Sequence, residues 1–177
     1  MADAQEILFG TGDLFVVPEE VDLEVDTQEV IDAALVKVGE SSGEATLAVE
    51  YEFADVRGGT ANQIMKSVMT SETISFSAGI VTYDLDKIGE FVAGEYSEDE
   101  TERKLKLGGG FKVPVKRLRF VHTKDDGKKI MMDMHKAQNR AGLEWIFNVE
   151  EQTNFEYEFT LMKDPNVDNI VTITEEI

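Results

Sequence analysis

The chain has 177 residues, 42% of them hydrophobic, a formal net charge of −19, no cysteine, and two histidines, His122 and His135. That length suits one domain (1–177) burying about two-thirds of its unfolded surface. Lack of cysteine excludes disulfides and thiolate metal sites and fits a reducing cytoplasm, two histidines argue against a His-based metal or triad site, and neither a ~20-residue apolar run nor a signal-peptide pattern is present.

Along the chain, Gln5–Gly12 ends in Gly10-Thr11-Gly12, a turn, and a short strand Asp13–Val17 stops at Pro18. Pro18–Glu29 reads as an acidic, weakly structured arm. Ala33–Val38 and Ala45–Phe53 read as paired strands about a Ser41-Ser42-Gly43 turn, with Leu47, Val49, Tyr51 and Phe53 on one face and Thr46, Ala48, Glu50 and Glu52 on the other. After Gly58-Gly59 come strands Gln63–Thr70 and Glu72–Val81, the latter with Ile74, Phe76, Ala78 and Ile80 together.

One helix is expected, Asp84–Val92, with Leu85, Ile88 and Val92 at helical spacing, Thr82 or Asp84 as cap and Gly94 as stop. Glu95–Val115 passes from acidic to basic and carries Gly108-Gly109-Gly110. It reads as a long loop, a length that is usually functional or disordered above ~12–15 residues. No helix follows its glycines, so they form no phosphate cradle.

The clearest stretch is Lys116–Leu161. Leu118, Phe120 and His122 alternate before Lys124-Asp125-Asp126-Gly127-Lys128, and Ile130, Met132 and Met134 after it. Only a three-residue loop, Asp125–Gly127, puts both sets on one face, with Gly127 in the left-handed position of a G1-bulge turn. That register sets Arg119 opposite Asp133 as a cross-strand ion pair. Leu143, Trp145, Phe147 and Val149 alternate as a further strand with Trp145 in the core, and so do Phe155, Tyr157, Phe159 and Leu161 against Glu156, Glu158 and Thr160. Asp164-Pro165-Asn166 turns into a last strand, Asn169–Thr174. About nine strands and one helix make a mainly antiparallel β-sandwich or rolled barrel.

Charge is unevenly placed. Residues 1–30 carry nine acids and no base; residues 101–140 carry twelve bases against four acids, leaving 32 acids and five bases elsewhere. A chain polarised in this way can meet copies of itself head to tail. Its acidic bulk argues against ordinary nucleic-acid binding, which draws on Lys and Arg. No catalytic constellation stands out: among 36 acids no pair is distinctive, His122 reads as a core residue, and Asp164–Asn169 lacks the glycine and terminal Glu of a calcium loop. No enzyme activity, metal or cofactor is expected.

In order along the chain, ILFGTGDLFVVPEE (7–20), KVGESSGEATLAVEYEFADVRGG (37–59), SETISFSAGIVTYDLDKIGEFVAG (71–94) and RFVHTKDDGKKIMMDMHKAQNRAG (119–142) resemble the major tail tube proteins of long-tailed bacteriophages and prophages. The resemblance rests on order and spacing, not on a single signature. It implies a sandwich flanked by a helix, six copies per ring, four strands per copy in a continuous inner barrel, and rings stacked into a tube that conducts DNA. It further implies a place in the virion tail, assembly in the bacterial cytoplasm, and tape measure, distal tail and terminator proteins as partners. Within that frame Glu50, Glu52, Glu156 and Glu158 are the candidate lumen residues. Lys104, Lys106, Phe111 and Lys112 would meet Glu19, Glu20 and Glu24 between rings. The rival readings are a monomeric β-sandwich that binds a carbohydrate or protein, and an acidic DNA mimic.

Overall fold

A computed structural model describes residues 10–177; the expected opening at Gln5–Phe9 lies outside them. The described chain is mainly β, with ten strands and two short helices. The strands are β1 (Gly12–Val17), β2 (Val36–Lys37), β3 (Ser41–Gly58), β4 (Gln63–Ile80), β5 (Gly94–Glu98), β6 (Arg103–Leu107), β7 (Val115–Thr123), β8 (Lys129–Asn139), β9 (Phe155–Leu161) and β10 (Val171–Glu175). The helices are α1 (Gln28–Ala34) and α2 (Leu85–Gly89).

Every pairing is antiparallel, in the order β2-β1-β7-β8-β9-β4-β3, with β10 also on β8 and β5–β6 as a separate hairpin. Strand β8 joins the two layers: Ile130–Met134 runs between β7 and β10, whereas Ala137–Asn139 pairs with β9. Period-two alternation then sends one face of each layer inward. Leu14, Leu118, Phe120 and Met134 from one layer meet Phe76, Ala78, Tyr157 and Phe159 from the other. Phe76 and Phe120, on strands that do not pair, have ring centroids 5.3 Å apart. Helix α2 closes one end: Asp84 accepts a hydrogen bond from the Asp86 amide at its start, and Ile88, Phe91 and Val92 are buried in the core.

The β7–β8 hairpin has the expected register: Leu118 faces Met134, Phe120 faces Met132, His122 faces Ile130, and Arg119 faces Asp133. Gly127 has φ +85°, and the Lys124 amide donates to the Lys128 carbonyl at 2.8 Å.

Several expectations are corrected. Residues 18–30 are no loose arm. They form turns and the start of α1, where Val21 and Ile31 pack on Val17 as a second small core; Arg117 clips the turn by donating to the carbonyls of Pro18 and Val21. Helix α1 therefore occupies part of the expected strand 33–38, leaving β2 with two residues paired to β1. Ser41–Gly43 makes no turn; it begins β3 with a register irregularity, and Gly43 has φ +102°. The two strands expected over 63–81 are one; a shift in register opposite Glu52–Phe53 marks the expected break, and another lies opposite Val56–Arg57. The helix after Asp84 stops at Gly89, three residues short of Val92, and Gly94 opens β5 instead of ending the helix. Residues 95–107, expected as loop, form the β5–β6 hairpin, in which Glu95 lies opposite Lys106 and Glu98 opposite Arg103. Residues 140–154 contain no strand, so Trp145, Phe147 and Val149 alternate without a partner ladder.

Candidate functional site: an acidic sheet face with an open edge

Strands β3, β4 and β9 place the four candidate glutamates together. Directly paired residues point to the same side of a sheet. Glu50 faces Thr73, Glu52 faces Ser71, and Thr46 faces Ser77; Ser77 in turn faces Glu158, and Gly79 faces Glu156. All four glutamates thus lie on the face opposite Phe76, Ala78, Tyr157 and Phe159, and all four are exposed. Their neighbours are short: Thr46, Ala48, Ser71, Thr73, Ser75, Ser77 and Thr160. Over this stretch the face bears no Lys or Arg. Glu52 accepts a hydrogen bond from the Ser71 hydroxyl at 3.0 Å, and Glu156 from the Asn154 amide at 3.3 Å. Gln138, opposite Thr160, extends the face onto a fourth strand, β8.

This sheet ends openly. Strand β3 is 18 residues long and pairs on one side only, with β4, among the described residues. Past Val49 and Ile74 the two strands leave the body as a ribbon, exposed along almost its whole length. Tyr51 is 54% exposed and Phe53 61%, and Ile64 and Met69 are also exposed. Register puts these four on the continuation of the core-facing side. A two-stranded ribbon is at best marginally stable alone in water, and a long unpaired edge is a template for another chain.

The second set of expected residues is distributed differently. Lys106 pairs with Glu95 at 3.0 Å within the β5–β6 hairpin, and Lys104 pairs with Glu102 and lies 3.9 Å from Asp99. Tyr96 donates to Glu98 at 2.9 Å, and that bond together with Arg103 holds the Glu98 carboxyl below its usual range. The hairpin's positive charge is therefore matched inside it. Phe111 and Lys112 are exposed beyond it. Glu19, Glu20 and Glu24 cluster on the turn after β1, and among the described residues no bond joins them to the hairpin.

Each histidine is tied into the fold by one ring nitrogen. The His122 ring donates from Nδ1 to the Thr11 carbonyl at 2.8 Å, and His135 Nε2 lies 3.1 Å from the Thr172 hydroxyl. No cluster of metal-ligating side chains occurs among the described residues. Asp164 makes the expected turn, accepting from the Asn166 amide at 2.9 Å. Sequence reasoning missed an exposed aromatic group: Trp145 stacks on Phe147 with centroids 5.4 Å apart and 18° between planes. Their alternation resembled a strand, and the signal against one was the run of Asn148, Glu150 and Glu151 with no partner segment.

Compared with models of protein families and with curated proteins, the chain matches none. No helix among the described residues is long and apolar enough to cross a membrane.

Proposed function

We propose that this protein is a non-enzymatic structural subunit that joins copies of itself side by side through the β3–β4–β9 sheet, closing a ring and stacking into a hollow tube for DNA passage. The observation that supports this reading most is the acidic, Ser/Thr-rich face on a sheet with an 18-residue open edge. Closing such sheets into a barrel removes the edges. It also covers apolar ribbon residues, each contributing about 1.5–3 kcal/mol when fully buried.

Six copies giving four strands each would enclose a lumen. With strands about 4.8 Å apart and tilted about 40°, the backbone wall would be about 48 Å across. Duplex DNA carries one charge per ~1.7 Å, so a wall bearing Glu50, Glu52, Glu156 and Glu158 repels it, and basic residues enter beside it on the fourth strand, where Lys136 and Arg140 flank Gln138. In this reading the protein belongs to a bacteriophage tail, with tape measure, distal tail and terminator proteins as partners and no membrane contact.

Negative-stain electron microscopy of the purified protein over a range of concentration and salt tests the proposal. Six-fold rings or hollow tubes of uniform diameter are expected. A strict monomer that also fails to enter tails in an infected-cell extract would overturn it. The exposed Trp145–Phe147 stack favours a second reading, a monomeric module whose aromatic platform holds a carbohydrate or protein. That reading predicts a monomer retained on immobilised polysaccharide or a partner, with retention lost in Phe147→Ala.

A further inference from the structure

Two surfaces remain that the sheet edge does not use. The first is a knob on the segment between β8 and β9. Phe147 is 83% exposed and Val149 101%, the exposure of an extended chain. The knob is nonetheless propped. Trp145, stacked under Phe147, meets Phe155 edge-on at 5.7 Å and Tyr83 at 5.2 Å, and the Thr153 hydroxyl donates to the Ile146 carbonyl at 2.6 Å. Its charges are all negative: Glu144, Glu150 and Glu151.

The second is a groove of about 480 Å³ between the β1 end, the start of β7 and the turn at Asp164. Val16, Val17, Val115 and Pro165 give it apolar walls, and Lys116 and Lys136 are among its lining residues. Neither lysine has an ion-pair partner among the described residues, and Arg117, beside them, spends its donors on backbone carbonyls rather than on a carboxylate. Glu19 and Asp164 are the acids on its lining, so the concavity is net positive in a chain of net charge −19. Knob and groove have no lining residue in common.

We propose that the acidic aromatic knob of one copy, Phe147 to Glu151, seats in the Lys116–Lys136 groove of a second copy, with Glu150 and Glu151 at the lysines and Val149 against Val115. The inference rests on the self-assembly reading and specifies a contact within it. Knob and groove are different patches, so the contact is heterologous and propagates from copy to copy. Apolar contact supplies the adhesion, while the charges fix which way the knob enters. Because the knob is held in place by its aromatic neighbours before binding, little ordering cost opposes docking.

Charge reversal makes the test specific. Lys116→Glu with Lys136→Glu gives a copy whose groove and knob are both acidic; Glu150→Lys with Glu151→Lys gives one whose groove and knob are both basic. Each variant alone should assemble at least tenfold less well than wild type, about the effect of losing one close ion pair. An equimolar mixture should assemble, because every junction in an alternating array is again acid to base. Since the chain has no cysteine, Val115→Cys with Val149→Cys checks the contact independently of those charges. Mild oxidation should give a ladder of disulfide-linked oligomers that neither single variant gives. Wild-type tubes with no ladder, or reversed variants that assemble alone as well as wild type, would overturn this contact while leaving self-assembly intact. No tubes from wild type together with no ladder from the double-cysteine variant would remove both.

Discussion

Arg119 and Asp133 lie on the outward face of the β7–β8 hairpin, yet they are only 2% and 6% exposed. Helix α1 covers them. Two bonds hold the pair, Nε to Oδ1 at 2.5 Å and Nη2 to Oδ2 at 2.9 Å. Among the described residues the third nitrogen, Nη1, has only Asp32 of α1, at 3.8 Å and more exposed. Replacing Asp133 with Asn keeps the volume, so no cavity is made, but leaves a desolvated guanidinium without its main partner. Breaking a buried pair in this way costs about 3–5 kcal/mol. Asp32 retains part of the compensation, which puts the expected loss near 3 kcal/mol. For a chain of this size that corresponds to a fall in Tm of about 6–12 °C. The double variant Arg119→Met, Asp133→Leu removes both desolvation penalties and should lie within about 1 kcal/mol of wild type. Urea unfolding followed by circular dichroism on wild type, Arg119→Met, Asp133→Leu and the double variant closes the cycle, with Asp133→Asn measured beside them. A loss below about 1 kcal/mol in Asp133→Asn would refute the reasoning, because it would mean that water reaches the pair and α1 does not seal it.

Burial pushes the Tyr157 hydroxyl up to about 12, from an ordinary value of 10.0. Its neutral form is favoured in the folded state, so its contribution is complete below pH 10 and disappears as pH rises from 10 to 12, about 3 kcal/mol in all. Urea midpoints across that range should fall in wild type and flatten in Tyr157→Phe. Replacing Glu50, Glu52, Glu156 and Glu158 together with Gln should leave tube formation intact but let labelled duplex DNA co-sediment with tubes at low salt; unchanged exclusion would remove these residues from the lumen. Tyr51→Ser with Phe53→Ser should change the stability of the isolated subunit by no more than about 0.5 kcal/mol while abolishing assembly in the microscope. A loss of several kcal/mol instead would show that the ribbon packs on its own subunit.

The candidate face was legible because strand alternation decides which residues share a side, whatever the strand later pairs with. Thus Glu50 with Glu52, and Glu156 with Glu158, were grouped correctly within their strands, and the β7–β8 turn fixed its own register through loop length and Gly127. The open edge was not legible. Nothing in 41–80 says that the three expected segments become two long strands, because Gly43 and the irregularity near Thr70 look locally like breaks, and only cross-strand hydrogen bonding carries the chain through them. The hairpin at 95–107 was hidden for a related reason: its cross-strand pairs, such as Glu95 with Lys106, are charged, and charge alternation resembles a solvated loop.

By itself, then, the sequence determined the class of fold, the β7–β8 register with its Arg119–Asp133 pair, and the grouping of glutamates along each strand. These depend on interactions between residues near in sequence or on a period of two. The tertiary structure decided what covers each face. It buried Arg119 under a helix read in sequence partly as arm and partly as strand, brought β9 beside β4 so that two pairs of glutamates became one acidic surface, and left Phe147 and Val149 outside while equally alternating Phe155 and Tyr157 went in. Periodicity states which side chains point the same way; whether that side meets water or protein depends on contacts between residues far apart in the chain.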